Sequence, residues 1–442
     1  MKIKTEKNQK IWRALLFSLI FLLGASCGAF LIFKNYGRLS PSPAVNSATQ
    51  NVYVSFIDEV YGKIKENYWK ALSDEELTSL FILATEKLTG QPQALKEKNK
   101  EALLEMMGKI IEQIDDEEKK KQLVTQTADI VLANLEPFGR SRLYSQKEET
   151  ELRDKVENRD PSVDQYAVLE VEKDASSEEI KKVYQEKVAE LSPQAEASAE
   201  AAQKLAQIQN AFEVLKDEES RQLYDTYGVE PTLSYRLLTP EVFYIRIEKI
   251  SPTTFAELER VTKKVDQGEA LDSLILDLRG NIGGSVDVLP YLLGPFIGQN
   301  NYAYQFLHQG QTIDYQTRVG WLPSLVRYKK VVILVDGQTQ SSAEIMAAAL
   351  KKYNVGILVG EKTRGWGTIE KVFPLETQID EKEKYSVFLV HSLTLRDDGQ
   401  PIEGNGVEPV VDISQADWQD QLYRYLPSPP LIEAVKQIME EK

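Results

Sequence analysis

Apolar side chains from residue 52 onward return every three or four positions: Phe56, Val60, Ile64 and Tyr68, then Leu103, Met106, Met107, Ile110 and Ile111. That interval marks one face of an α-helix. Residues 52–158 are therefore predicted to form a helical domain for packing or dimerisation, which puts a homo-oligomer among the expected partners. Charge runs such as Asp115-Asp116-Glu117-Glu118-Lys119-Lys120-Lys121 read as solvated faces. The pattern changes after Pro231. Short, mainly apolar runs at 242–247, 274–278, 331–335 and 355–360, the first two interrupted by Arg246 and Asp277, predict strands, and helical spacing at 254–264 and 342–352 separates them. Strands alternating with helices point to an α/β layer structure.

Residues 14–33 hold no charged side chain. At 1.5 Å per residue, a helix of that length crosses a hydrocarbon core of ~30 Å. Trp12 and Tyr36 are placed for the two interfaces. The denser basic cluster precedes the run, so the N-terminus is expected in the cytoplasm and the bulk of the chain outside, on a single-pass anchor in the cell membrane. The alternative is a cleaved signal peptide with Gly24-Ala25-Ser26-Cys27 as its small-residue site; the apolar run continues past Cys27, which a signal peptide does not need. Lipidation of Cys27 is disfavoured by Gly24 three residues before it. The expected organisation is a basic tail (1–13), the membrane helix (14–33), a polar linker (34–51), the helical domain (52–158), a second helical module (164–228), the α/β part (231–415) and a C-terminal helical tail (416–442).

Composition narrows the function. With 42% hydrophobic and 27% charged residues in 442, the chain is globular and long enough for two or three domains. The net charge of −15 argues against nucleic acid as a partner, since phosphate binding needs surplus Lys and Arg. Residues 1–40 carry seven basic residues against Glu6, so the remainder stands at −21. A basic start before an acidic body suits membrane insertion at one end and a soluble module at the other. Cys27 is the only cysteine, so no intrachain disulfide can form and a structural zinc site is disfavoured; no metal and no cofactor are expected. His308 and His391 lie far apart in the chain and read as structural or surface residues.

In residues 164–228, Tyr166-Ala167-Val168-Leu169 leads to Asp174-Ala175-Ser176-Ser177-Glu178-Glu179-Ile180. Ser176 with Glu179 three residues on predicts a helix start. Ile208-Gln209-Asn210-Ala211-Phe212-Glu213-Val214-Leu215 and Arg221-Gln222-Leu223-Tyr224-Asp225 follow. The ordered series resembles a DnaJ-type J domain over nearly its whole length. Where that family carries His-Pro-Asp between helices, this chain has Ser192-Pro193-Gln194. The family's His and Asp make the contact that stimulates DnaK-type chaperones, so the resemblance does not extend to that partner. An external module would not meet a cytosolic chaperone in any case. A J-like scaffold reused for structure or protein binding is expected.

The α/β part carries Asp277-Leu278-Arg279-Gly280-Asn281-Ile282-Gly283-Gly284, then Ser341-Ser342-Ala343-Glu344-Ile345, Gly360-Glu361-Lys362-Thr363 and Gly404-Asn405-Gly406-Val407-Glu408-Pro409. This order resembles the C-terminal processing (tail-specific) serine peptidases over residues 231–412. The preceding helices and Asn134-Leu135-Glu136-Pro137-Phe138 resemble that family's N-terminal region. The resemblance implies an α/β ClpP/crotonase-like core, hence a multidomain α+β chain with the J-like module where the family holds a PDZ domain. It also implies protein or peptide C-termini as partners, Ser341 as nucleophile, and Gly283, Gly284 and Ser342 as oxyanion donors. A serine at a strand-to-helix turn suits that role, because the helix N-terminus offers free N–H groups to developing negative charge.

The general base departs from the family. Its lysine aligns with Trp366, inside Gly365-Trp366-Gly367, and its supporting glutamine aligns with Glu370. An indole has a donor and no acceptor, so it takes no proton. Three readings follow. In the one adopted, the chain is a pseudopeptidase binding polypeptide tails or partner proteins at the cell envelope. In the second it is an active endopeptidase whose base is Lys362, Lys371 or Glu370. In the third, Ser341 only caps a helix in a scaffold without a substrate.

Overall fold

Four helices open the part of the chain described by a computed structural model, which covers residues 51–195, 197–265 and 271–440. They are α1 (Val52–Asn67), α2 (Asp74–Thr89), α3 (Lys100–Glu112) and α4 (Glu117–Ala133). Each begins where a polar side chain, Asn51, Ser73, Asn99 or Asp116, accepts a first-turn N–H that no helical carbonyl can reach. The apolar stripe of α1 is sealed: Phe56, Val60 and Ile64 are fully buried, with Leu103, Met107 and Ile111 of α3. The predicted membrane span 14–33 lies outside the described residues. No helix among the described residues is long and apolar enough to cross a membrane.

Strand β1 (Arg142–Ser145) and helix α5 (Gln146–Glu157) lead to the J-like module: α6 (Gln165–Leu169), α7 (Ser177–Ala195), α8 (Ala199–Leu215) and α9 (Glu218–Tyr227). Ser176 Oγ accepts the Glu179 N–H at 3.2 Å, so α7 starts where the Ser-x-x-Glu spacing places it. Ile180, Leu191, Ile208, Ala211, Val214 and Leu215 form the module's own small core, and the rings of Tyr184 and Phe212 stack with centroids 3.9 Å apart. Arg221 staples it by donating to Tyr166 Oη and to the carbonyls of Lys173 and Ala175. The two ends of the insert meet. Arg159 bridges Val229, and Glu230 N–H donates to Asn158 O at 3.0 Å. Ser192, Pro193 and Gln194, expected in a loop, lie in the last turn of α7. Gln194 O accepts the N–H groups of Ala197 and Ser198, so the chain turns only after these residues.

The rest builds two sheets. In chain order come β2 (Leu233–Thr239), β3 (Val242–Ile247), α10 (Thr254–Val265), β4 (Ser273–Asp277), α11 (Leu289–Ile297), β5 (Tyr302–His308), β6 (Gln311–Gln316), α12 (Pro323–Val326), β7 (Lys330–Val335), α13 (Ser342–Lys352) and β8 (Ile357–Gly360). Then follow β9 (Thr368–Pro374), β10 (Tyr385–Leu395), β11 (Val411–Asp412), α14 (Trp418–Tyr425) and α15 (Pro429–Glu440). One sheet has the order β11-β8-β7-β4-β3-β2, parallel except for the edge strand β2. Residues 274–276 of β4 and 331–335 of β7 are buried on both faces, which is why they read as apolar runs. One face packs on α10, α11 and α13 through Leu258, Leu292 and Met346; the other is covered by α14 and α15 through Leu422, Leu431, Val435 and Ile438.

The second sheet is antiparallel, β1-β10-β5-β6 with β9 also paired to β10. Sequence periodicity did not predict it. It ties the N-terminal helices to the α/β part: β1 is a strand of this sheet, and Val387, Leu389 and Leu393 of β10 join the core of α1–α4.

Candidate active site

The parallel strands end on one edge, the edge at which α/β sheets bind ligands. Past β7 the chain turns at Asp336, whose Oδ1 accepts the N–H of Thr339 at 2.8 Å, and reaches Ser341 at the N-cap of α13. Ser341 holds φ 58° and ψ −130°, a backbone conformation costing a non-glycine residue roughly 1–3 kcal/mol. Two hydrogen bonds hold it there: Ser341 N–H donates to Glu344 Oε2 at 3.0 Å, and Gln340 N–H donates to Asn281 O at 3.0 Å.

The loop after β4 meets this turn. Asn281 is fully buried; its Nδ2 donates to Ile247 O at 2.8 Å and its Oδ1 accepts Gly283 N–H at 2.8 Å. A Cβ on Gly283 would stand 2.7 Å from Ser341 Cβ, and one on Gly284 would stand 2.0 Å from Ile250 O. Only glycine lets the loop approach so closely. Of the three expected oxyanion donors, the Gly283 N–H is thus spent on Asn281. No described residue accepts from Gly284 N–H or Ser342 N–H. Ser342 Oγ is buried and has no hydrogen-bond partner.

Trp366 approaches from the other side, in the loop between β8 and β9. The buried Glu344 carboxylate holds that loop against the serine turn. Besides Ser341 N–H it accepts Gly365 N–H at 2.7 Å, Trp366 N–H at 2.8 Å and the Thr363 hydroxyl. Burial pushes its pKa up, and these hydrogen bonds pull the other way. Gly367 N–H donates to Glu403 Oε2 at 2.8 Å, and Val407 N–H to Thr363 Oγ1 at 2.7 Å, so the Gly404-Asn405-Gly406 turn belongs to the same assembly.

The indole of Trp366 is enclosed by charge. The Arg140 guanidinium lies 3.3 Å from the ring centroid and Arg364 lies 5.6 Å away. Arg140 also pairs with Glu403 at 2.9 Å, both side chains being largely shielded from solvent. The indole N–H points to Glu370 Oε1 at 3.4 Å, and the same oxygen accepts the Thr368 hydroxyl at 2.6 Å. Burial raises the Glu370 pKa, against the Thr368 and Trp366 hydrogen bonds and the Arg140 charge.

The other named groups lie elsewhere. Lys362 pairs with Glu408 at 2.8 Å on the surface. Lys371 Nζ is 3.5 Å from His391 Nε2. His308 and His391 come together as stacked rings, centroids 4.2 Å apart, and His308 Nδ1 lies 2.6 Å from His391 O. Among the described residues no lysine, histidine or carboxylate hydrogen-bonds Ser341 Oγ. No group of three or more metal-ligating side chains occurs among them either. The side chains of Ser192 and Gln194 bond within α7, to Val188 O and Glu190 O.

Sequence reasoning quoted Glu344 inside a motif and gave it no role. The available signal was the Ser-x-x-Glu spacing from Ser341, the same spacing that located the start of α7. Arg140 left no sequence signal, because nothing local ties it to a tryptophan more than two hundred residues later.

Residues 241–413 match peptidase family S41, and residues 164–225 match the DnaJ domain. The carboxy-terminal processing protease CtpA of Bacillus subtilis is 30% identical over 198 residues, 44% of this chain and 39% of that protein. The carboxy-terminal-processing protease of Bartonella bacilliformis is 24% identical over 179 residues, 40% of this chain and 39% of that protein. The alignments thus span about two fifths of these relatives' length. Among solved structures, the photosystem II D1 C-terminal processing protease matches with a TM-score of 0.49 at 14% identity, over 82% of this chain and 93% of that one. The chain carries an S41 peptidase domain with carboxy-terminal-processing proteases among its homologues, and a DnaJ domain.

Proposed function

We propose that this S41 peptidase domain binds polypeptide tails without cutting them, as part of a protein anchored at the outer face of the membrane by residues 14–33. The observation that carries the reading is Trp366. Its indole stands at the position of the expected base, N–H toward Glu370 and ring beneath Arg140. Neither the indole nor the guanidinium accepts a proton, since indole nitrogen is donor only and guanidinium stays charged. A serine hydroxyl is a weak nucleophile and needs a base beside it. Losing that base removes ~10²–10⁴ in rate. The binding side remains equipped: the N–H groups of Ser342, next to Ser341, and of Gly284, next to the Gly283 that touches Ser341, have no acceptor among the described residues and suit a peptide carbonyl.

The J-like module is assigned to structure or protein binding rather than to a DnaK-type chaperone, because Ser192-Pro193-Gln194 replaces the contact motif inside a helical turn. The basic residues before 14–33 support a cytoplasmic N-terminus and an external body.

A second reading, an active endopeptidase, is favoured by the Ser341 backbone, whose costly turn is kept beside free N–H donors. Incubating the full-length chain in detergent micelles with unstructured peptides separates the two. Binding without hydrolysis is expected. Hydrolysis that disappears in Ser341→Ala would overturn the non-cleaving reading.

A further inference from the structure

A cavity of about 320 Å³ opens where the J-like insert meets the α/β part. Asn158, Asn210 and Glu230 line it from the insert and its neck, Arg246, Glu248 and Lys249 from the end of β3, and Gly280 and Ile282 from the loop after β4. Its hydrogen-bonding capacity is unevenly spent. Glu230 already accepts from Gln165 and Asn210, and Glu248 accepts from Ser234 at 3.2 Å. Arg279, also on the wall, is committed to buried Asp277 at 2.7 Å. Arg246 is not committed: its Nε is buried without a hydrogen-bond partner. No described carboxylate forms an ion pair with Arg246 or Lys249. A buried charged donor without an acceptor is costly, so the unmet demand of this cavity is for an anion with two or more acceptor oxygens.

We propose that this cavity holds the terminal carboxylate of a bound polypeptide, with Arg246 and Lys249 as its donors. The inference rests on the tail-binding reading and adds where the tail ends. Arg246 and the Gly280–Ile282 stretch lie at the carboxyl ends of β3 and β4, on the same edge as Ser341 after β7. These strands are consecutive neighbours in the sheet. Two inter-strand spacings make about 10 Å, which an extended chain crosses in about three residues. Ile282 is exposed and one residue before Gly283. A polypeptide terminus combines a carboxylate with a side chain that can cover it; free phosphate would engage the cations and leave Ile282 wet. Burial, with Lys155 nearby, holds the Lys249 amine below its usual pKa, and a carboxylate bound beside it would raise it again.

The test is fluorescence anisotropy of a labelled unstructured peptide, as free acid and as C-terminal amide, against the full-length chain in detergent micelles. The acid is expected to bind at least tenfold tighter than the amide, with Arg246→Gln erasing the difference and millimolar inorganic phosphate failing to displace the acid. Equal binding of acid and amide to the wild-type chain overturns this site and leaves tail binding standing. Failure of both peptides to bind overturns the site and the tail-binding reading together. Displacement by phosphate reassigns the cavity to a free oxyanion and overturns the carboxylate assignment. The acid–amide comparison is made on the unmodified chain, so it holds even if the variant misfolds.

Discussion

The guanidinium of Arg140 lies 3.3 Å above the ring of Trp366, bringing a cation from the end of the N-terminal helices onto the position of the expected catalytic base. The charge there is positive and permanent, so it can attract an anion and cannot accept a proton. The same neighbour would act on any amine put in place of the indole. Burial and the Arg140 charge favour the neutral form of a lysine, the form that takes a proton, against the pull of the Glu370 carboxylate. Trp366→Lys is therefore expected to hydrolyse unstructured peptides at least about 10²-fold faster than the natural chain. Adding Ser341→Ala should return the rate to background. A silent Trp366→Lys chain would mean that more than the base is missing.

Glu344 is the tie between the two halves of the site. Glu344→Ala would leave the N–H groups of Ser341, Gly365 and Trp366 and the Thr363 hydroxyl without their acceptor. Each such loss in a buried place costs about 1–3 kcal/mol. A loss of ~3 kcal/mol or more is expected, seen as a lower urea midpoint with an unchanged slope. A midpoint within error of the natural chain would show that the two loops hold without it.

His391 sets a pH dependence. Burial first, then the charges of Lys371 and His308, lower its pKa from 6.5 to about 4. Between those values the unfolded chain binds the proton and the folded chain does not. Stability contributed by this group is complete above about pH 6.5 and falls as the pH drops toward 4. His391→Phe keeps a ring for His308 to stack on and removes the titration. Its stability should fall less steeply than the natural chain's between pH 6.5 and 4 in chemical denaturation. Parallel curves would exclude this role for His391.

The J-like module is expected to leave the ATPase of a DnaK-type chaperone at its basal rate. Ser192 and Gln194 spend their side chains on carbonyls of α7 itself, Ser192 Oγ reaching Val188 O at 2.7 Å. The double change Ser192→His with Gln194→Asp should also fail, because these positions lie in a helical turn rather than in a loop between helices. Stimulation by the natural chain would put a chaperone back among its partners.

Much of the architecture was legible because the relevant signals are local. Apart from Arg246, the runs at 242–247 and 331–335 are apolar because strands buried on both faces must be, and they are β3 and the greater part of β7. Ser176 with Glu179 marked the start of α7 through a contact three residues long. The positions of Ser341, Gly283, Gly284 and Trp366 could be named from motif order alone. What those residues touch could not. The ladder that joins β1 to β10 was invisible because it pairs Arg142 with Phe388, and pairing between distant segments leaves no period in either. Arg140 over Trp366, Asn281 between β3 and the serine turn, and the uncommitted Arg246 of β3 across the cavity from the insert's neck are likewise products of chain return. Periodicity and capping are written over a few neighbouring residues. Stacking, register and the pairing of buried charge exist only once segments tens to hundreds of residues apart have been packed together.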